Sequence, residues 1–232
     1  MSKSSEIKEY LLAEGASLIG FADLSAHHHL EMVSGVSIMV KIPPAVIRSI
    51  SHGPTMNYYD AYHNLNRKLN ELAEEGASLI QSFGYKAVAQ TTEYVKEFDD
   101  HRTKMPHKTV ATSAGLGWIG KSALFVTREF GSAIRLTSIL TDMTLDYGVP
   151  VTESACGDYD LCKKACPGQA VTGKLWRADL DRNEFFDPLK CRQAARALAK
   201  EKLNKDITLC GKCIEACPYT KAYVINEENI GN

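Results

Sequence analysis

The sequence predicts an α/β (α+β) domain over residues 1–150, followed by a small cysteine-rich domain over residues 151–232. Two observations predict it. Through the first part, helix-period and strand-period segments alternate, with glycine and proline between them. All seven cysteines then fall between positions 156 and 217. Taking the elements in order, Ser5–Gly15 reads as a short helix with a Ser cap and a Gly stop, its Ile7, Tyr10 and Leu11 spaced i, i+3, i+4. Ser17–Ala22 and Val36–Ile42 read as strands, the second ended by Pro43-Pro44. Gly53-Pro-Thr55 opens a long helix that keeps its apolar spacing from Tyr59 through Phe83 and stops at Gly84. Tyr85–Gln90 is strand-like and Lys108–Ala114 a short helix. Ala123–Thr127 and Ser132–Leu140 complete the domain as two strands joined at Phe130-Gly131.

Composition bounds the function. Hydrophobic residues make up 44% and charged residues 24%, enough apolar material for a packed core and too much for disorder. Lys+Arg of 27 against Asp+Glu of 28 leaves a net charge of −1, which disfavours nucleic acid as an obligate partner. No run approaches the roughly 18 apolar residues of a membrane span, and the N-terminal residues lack the apolar stretch of a signal peptide. The expectation is a cytoplasmic chain, in which clustered cysteines read as metal ligands rather than disulfides.

Some features invite over-reading. His27-His28-His29 reads as a solvated loop, because adjacent side chains cannot all face one ion. Tyr58, Tyr59 and Tyr62 could line a pocket, but helical spacing assigns Tyr59 and Tyr62 to core packing. Lys96–Lys104 reads as a charged loop. Gly115-Leu-Gly-Trp-Ile-Gly120-Lys121-Ser122 matches both G-x-x-x-x-G-K-S and G-x-G-x-x-G. Both phosphate fingerprints need a strand before and a helix after, so that helix N–H groups face the phosphates. Here a helix leads in and a strand leads out, so Gly115 reads as a helix stop. A glycine-rich backbone approached by a flat ligand is the better reading.

The cysteines carry the strongest signal. Cys210-Gly-Lys-Cys213-Ile-Glu-Ala-Cys217-Pro218 is C-x2-C-x3-C-P, and the run from Cys156 through Cys162 to Cys166-Pro167 ends the same way. In bacterial ferredoxins, C-x2-C-x2-C-x3-C-P gives three thiolates to one [4Fe–4S] cluster, and its last cysteine crosses to the other cluster. Applied here, the crossing rule gives Cys156, Cys162 and Cys217 to a first cluster, and Cys166, Cys191, Cys210 and Cys213 to a second. All seven cysteines are used where two cubes would take eight. The vacancy falls at Tyr159, between Asp158 and Asp160. Three completions stay open: an aspartate oxygen on the fourth iron, a [3Fe–4S] cluster, or an exogenous ligand. A zinc reading, with one four-thiolate and one three-thiolate site, is the alternative.

With both halves in view, the chain resembles the epoxyqueuosine reductase family of iron–sulfur, cobalamin-dependent reductases, relatives of the reductive dehalogenases. Thr109–Ala133 looks like that family's cobalamin-domain signature, and the dicluster cysteine segment is shared with it. The resemblance implies a corrinoid-type α/β domain followed by a ferredoxin-like dicluster domain, with the clusters feeding electrons to a base-off corrinoid to reach Co(I). By resemblance, Gly115, Gly117, Trp118, Gly120, Lys121, Ser122, Phe130, Gly131 and Ser132 face the corrinoid. Three departures stand out. The family's proton-donating Asp-[ST]-[AG] motif is replaced by His101-Arg102-Thr103, leaving Asp100 and His101 as the candidate acids. Tyr159 stands where the second cysteine would be. The sequence stops at Asn232, short of the helical-repeat module that helps epoxyqueuosine reductases grip tRNA.

The expected function is an iron–sulfur oxidoreductase passing electrons through two clusters to a corrinoid or small-molecule substrate, and not acting on tRNA. Its expected donor is a small carrier such as ferredoxin or flavodoxin. The alternatives are a non-catalytic electron carrier, a corrinoid-activating reductase for a partner protein, and a P-loop nucleotide-binding protein.

Overall fold

The structure is a computed structural model and describes residues 2–27 and 31–230. It divides into two units interleaved along the chain: Met1–Val40, Asn64–Gly117 and Arg135–Val151 form one, and Lys41–His63, Trp118–Ile134 and Thr152–Asn232 the other. A division in chain order at residue 150 is therefore a different partition, because two early segments pack with the cysteine-rich part.

In the first unit, helix α1 (Lys3–Ala13) starts at Ser2, whose Oγ accepts the Ser5 N–H at 3.2 Å. Strands β1 (Leu18–Asp23) and β2 (Ser34–Lys41) pair antiparallel with Phe21 opposite Val36. Helix α2 (Pro44–Ser49), in the second unit, starts within Pro43-Pro44. The proline pair reads as a strand stop, but Pro44 sits at the first helical position, where a missing N–H costs nothing, so it also begins a helix. Helix α3 (Met56–Ser82) opens where expected, with the Thr55 hydroxyl accepting the Tyr58 N–H. Strand β3 (Ala87–Ala89) is shorter than the sequence suggests, and helix α4 is His107–Ser113. A hairpin of β4 (Trp118–Ile119) and β5 (Phe125–Val126), which belongs to the second unit, precedes β6 (Ile134–Thr141).

The four-stranded sheet runs β1-β2-β6-β3, with β3 antiparallel to β6. Seven successive residues of β2, Ser34 to Val40, are buried, the pattern of an inner strand covered on both faces. Its Val36, Ile38 and Val40 join Ile19, Phe21 and Ile139 in a core with Ile7 and Leu11 of α1 and Leu69, Leu72, Ala73 and Ile80 of α3. A smaller core is built on α4: Ala22, Leu24 and Leu140 close around Met105, Val110 and Ala114.

The second unit is short helices and turns. Helix α5 (Leu161–Ala165) and helix α8 (Lys212–Glu215) each end just before a Cys-Pro step, and the two pack together. Between them lie α6 (Arg182–Phe185), closed by an Asp181/Glu184 capping box, and α7 (Pro188–Leu203), which carries Cys191. Asp187 caps α7 by accepting from the Leu189 and Lys190 N–H groups. Helix α9 (Pro218–Ile230) leaves Cys217 with proline in its first position. At the start of α3, the buried tyrosine is Tyr58, 4% exposed beside Gly211, while Tyr59 and Tyr62 are half-buried. The core reading of Tyr59 and Tyr62 is corrected: the inward face lies one residue earlier, and Tyr59 instead carries the Lys205 ammonium 5.3 Å above its ring. His28 and His29 of the histidine run lie outside the described residues. His27 is half-buried, its N–H on the Leu24 carbonyl.

Candidate metal centre

All seven cysteines are free thiols in the second unit. Local sequence sets their placement: a one-turn helix lies inside each closely spaced run, carrying Cys162 or Cys213, and proline follows the last cysteine. Their mutual electrostatics links neighbours within each expected set and also links Cys213 to Cys162 across the two. Burial pushes the Cys162 thiol up to about 11, with Cys156 and Cys217 adding to it. Cys191 is pushed up to about 11 by burial, then by Cys166 and Cys210. Burial and Cys166 raise Cys210, and burial followed by Cys210, Cys191, Cys162 and Cys166 raises Cys213. Thiols crowded out of water resist ionisation, and a bound cationic metal reverses that preference.

Among the described residues, no three His, Cys, Asp or Glu side chains form a group placed to hold a metal ion. A single zinc would need four ligands converging within about 2.3 Å of one point.

One cavity gathers cysteines from both expected sets. Gly120, Lys121 and Ser122 line one cavity with Cys156, Cys162, Cys213, Cys217 and Tyr159. The Trp118 indole N–H donates to Cys156 Sγ at 3.4 Å, and a side chain at Gly120 would lie 3.5 Å from that sulfur. Tyr219 stands edge-on to Trp118, centroids 5.0 Å apart, and its hydroxyl donates to the Ala155 carbonyl at 2.9 Å. Lys121 is 6% exposed and its Nζ donates to the Tyr159 carbonyl at 2.9 Å. In the four-thiol set, the Ala170 N–H donates to Cys166 Sγ at 3.3 Å. The sequence carried no local signal for Lys121 beside Tyr159, 38 positions away.

The remaining expected residues are more dispersed. No helix follows Gly120, since Phe125–Val126 pairs back on Trp118–Ile119, so the phosphate-loop requirement is unmet. Gly115, at φ +74°, ends α4: its N–H reaches the Thr112 carbonyl and the next N–H the Ala111 carbonyl. The space a side chain at Gly115 would need holds the Val149 carbonyl oxygen, at 2.5 Å. Gly117 closes the same segment of the first unit. Gly131 lies against the Thr220 backbone, the Ser132 N–H donates to Thr220 Oγ1 at 3.0 Å, and Phe130 stands edge-on to Tyr223. Asp100 and His101 sit between β3 and α4, where Asp100 pairs with Arg102 and His101 Nδ1 meets a Glu97 oxygen at 2.5 Å. A cavity of about 450 Å³ opens on the same loop, floored by Met32, Val88, Met105 and Leu140 and rimmed by Tyr94, Phe98, Lys96 and Lys104. Neither Asp100 nor His101 lines it.

No family model matches the chain. Sequence relatives do. The chain is 32% identical over 162 residues to an epoxyqueuosine reductase of Lactococcus garvieae, covering 70% of this chain and 42% of the relative. It is 28% identical over 161 residues to that of Pseudomonas aeruginosa, covering 69% and 41%. This chain is epoxyqueuosine reductase-like. Among solved structures, the fold of this epoxyqueuosine reductase-like chain matches a reductive dehalogenase described for B12-dependent dehalogenation. The TM-score is 0.73 at 15% identity, over 97% of this chain and 33% of that one. It also matches an epoxyqueuosine reductase solved with an epoxyqueuosine-modified tRNA stem loop, at a TM-score of 0.59 and 20% identity, over 94% and 65%. The mixed α/β fold is thus that of the reductases and dehalogenases. The epoxyqueuosine reductase-like chain spans less than half the length of the curated relatives it matches.

Proposed function

We propose that this chain is an iron–sulfur oxidoreductase. Its second unit carries two clusters, the first held by Cys156, Cys162 and Cys217 and the second by Cys166, Cys191, Cys210 and Cys213. The observation that carries this reading is that both C-x3-C-P runs lie in one compact unit, with α5 and α8 packed together and Cys156, Cys162, Cys213 and Cys217 on one cavity. When bound, the clusters supply one-electron transfer. The chain's own part is to exclude water, through the packing of Trp118, Tyr219 and the α5–α8 pair, and to donate hydrogen bonds to sulfur from Trp118 and Ala170.

In this reading, electrons enter from a small carrier such as a ferredoxin or flavodoxin and pass to a corrinoid or small-molecule acceptor held by the α/β part. A corrinoid, when bound, supplies a strongly reducing cobalt. Support for it is the likeness to epoxyqueuosine reductases and the cobalamin-type signature Thr109–Ala133. Gly115 and Gly131 do not support it, since their open sides admit Val149 and Thr220 instead. The 450 Å³ cavity lies within the roughly 300–1,000 Å³ of small-molecule sites and is the place assigned to the acceptor. Asp100 or His101, on the same loop, is the candidate proton donor, and neither side chain lines that cavity. A net charge of −1 supports a substrate other than tRNA, and among the described residues no helix is long and apolar enough to cross a membrane.

Anaerobic reconstitution with iron and sulfide tests the core of this proposal. The expected yield is about eight irons per chain, or about seven if one cluster is [3Fe–4S], with acid-labile sulfide and two distinct EPR signals on reduction. Bound zinc without sulfide would overturn it. Titration of the reconstituted protein with hydroxocobalamin then decides the acceptor. Retention with a base-off spectrum supports the corrinoid, and no retention with normal cluster reduction leaves an electron carrier.

A further inference from the structure

Lys121 lines the cavity that Cys156, Cys162, Cys213 and Cys217 share, and among the described residues it is the one cationic side chain there. The residue is 6% exposed, and the polar partner the structure gives its Nζ is the neutral Tyr159 carbonyl at 2.9 Å, between Cys156 and Cys162 in the chain. Taking a cation out of water against a neutral dipole is costly, and the cost is offset when an anion shares the enclosure. An iron–sulfur cluster on three or four thiolates is such an anion. The β4–β5 hairpin that carries Lys121 reaches the same thiols a second time, because the Trp118 indole N–H donates to Cys156 Sγ at 3.4 Å. Tyr219 packs edge-on against that indole, centroids 5.0 Å apart, and holds its orientation.

The thiols of the second set stand in a different field. Cys166 Sγ accepts a backbone N–H, from Ala170 at 3.3 Å. Charges near Cys191 and Cys210 oppose each other, Asp187 acting on the first and Lys212 on the second. The Lys212 ammonium is itself turned to the Ser51 carbonyl. One-electron reduction adds a negative charge to a cluster and makes or breaks no bond in the chain. A nearby cation or N–H donor therefore favours the reduced form, and a nearby carboxylate disfavours it.

From this we propose that the β4–β5 hairpin sets the potential of the first cluster: Lys121 as counter-charge and Trp118 as hydrogen-bond donor to Cys156 make it the more readily reduced of the two. Electrons delivered by a one-electron carrier then collect on the first cluster, and the second is the relay that feeds it. The inference rests on the two-cluster reading and deepens it. Trp118 and Lys121, which resemblance alone turns toward a corrinoid, act here on a cluster.

Redox titration of the reconstituted full-length protein, followed by EPR, reads the midpoint of each cluster. Cys156→Ser identifies the first cluster as the signal that it alters or removes. In wild type that signal is expected to have the higher midpoint. Lys121→Met is expected to lower it by at least about tenfold in the reduction equilibrium, about 59 mV for one electron, and to leave the other midpoint in place. Lys121→Arg, which keeps the charge, should restore most of that loss. Trp118→Phe, which keeps a ring and removes the donor, should lower the same midpoint by a smaller step, and it decides alone if Lys121→Met fails to hold clusters. A first-cluster midpoint at or below the other in wild type would overturn the inference alone. So would equal shifts of both signals, or loss of iron and sulfide in both variants with no selective shift, the mark of a structural role. Absence of acid-labile sulfide in wild type would overturn both the inference and the reading beneath it.

Discussion

His107 begins α4 with its Nδ1 2.9 Å from the Ser138 hydroxyl on β6. Burial, followed by the charges of Arg135 and Lys108, pushes its pKa down from 6.5 to about 4. The unfolded chain therefore takes up a proton at a pH where the folded chain does not. The stabilisation from the neutral ring is full above pH 6.5 and is lost as pH falls from 6.5 through about 4. Since His107 is only half-buried, solvent discounts the effect to about 1–2 kcal/mol. Denaturant midpoints at pH 7 and pH 5 should differ in wild type and converge in His107→Gln. An equal pH dependence in both would remove His107 as the cause. Single residues were unevenly legible. The two one-turn helices before Cys166-Pro167 and Cys217-Pro218 were within reach of the sequence because spacing within a loop is local. Tyr58 was missed because three tyrosines crowd one helical turn, and only contact with Gly211, far along the chain, picks the inward one. Lys121 was read by resemblance as facing a corrinoid; its partner lies in the cysteine segment, beyond the reach of any local pattern.

At the scale of elements, the turn after β5 is held to the start of α9 by a single small residue. Gly131 adopts φ +58°, and a side chain there would come within 2.2 Å of the Thr220 backbone nitrogen. Gly84 at the end of α3 also has a positive φ, +88°, but nothing lies within 4 Å of the equivalent position. Gly84→Ala should therefore cost only the backbone strain, about 1 kcal/mol. Gly131→Ala adds a steric clash with main chain and should cost well over about 2 kcal/mol. Comparing the two variants by urea denaturation separates strain from packing, and equal losses would show that α9 moves freely away. Elements with one governing signal were legible: α1, β1, β2, α3 and β6 lie within a few residues of expectation. Those with a double signal were not. Pro43-Pro44 both ends a strand and starts α2. The strand expected over Ala123–Thr127 shrinks to Phe125–Val126 because Ala123 sits at φ +58° in the tight turn that brings Lys121 inward.

For the whole molecule, the stability of the second unit depends on what its thiols hold. Helices α5, α6 and α8 are only four or five residues long, too short to persist without tertiary support. Thiols tied to the two proposed clusters would supply that support, and metal binding and folding would then be coupled. Stripping iron with a chelator under anaerobic, reducing conditions should lower the melting temperature by several degrees and restore it on reconstitution. An unchanged melting curve would mean the helices stand without metal. The fold of the first unit was legible at this scale because its alternating pattern is local. The interleaving was not: nothing in Lys41–His63 or Trp118–Ile134 announces that these segments pack with cysteines far downstream.

That interleaving sets an order of events during synthesis. The first unit has its last segment once Val151 has been made, but the other lacks everything from Thr152 onward at that moment. Cys156 and Cys162 leave the ribosome well before Cys217, the third member of their set and the last cysteine in the sequence. Until it arrives the early thiols have Trp118 and Gly120 beside them and no complete site to enter, and they are exposed to oxidation. If the proposed clusters are present, their insertion would be a late, post-translational step, and the early thiols would have to be kept reduced until Cys217 is made.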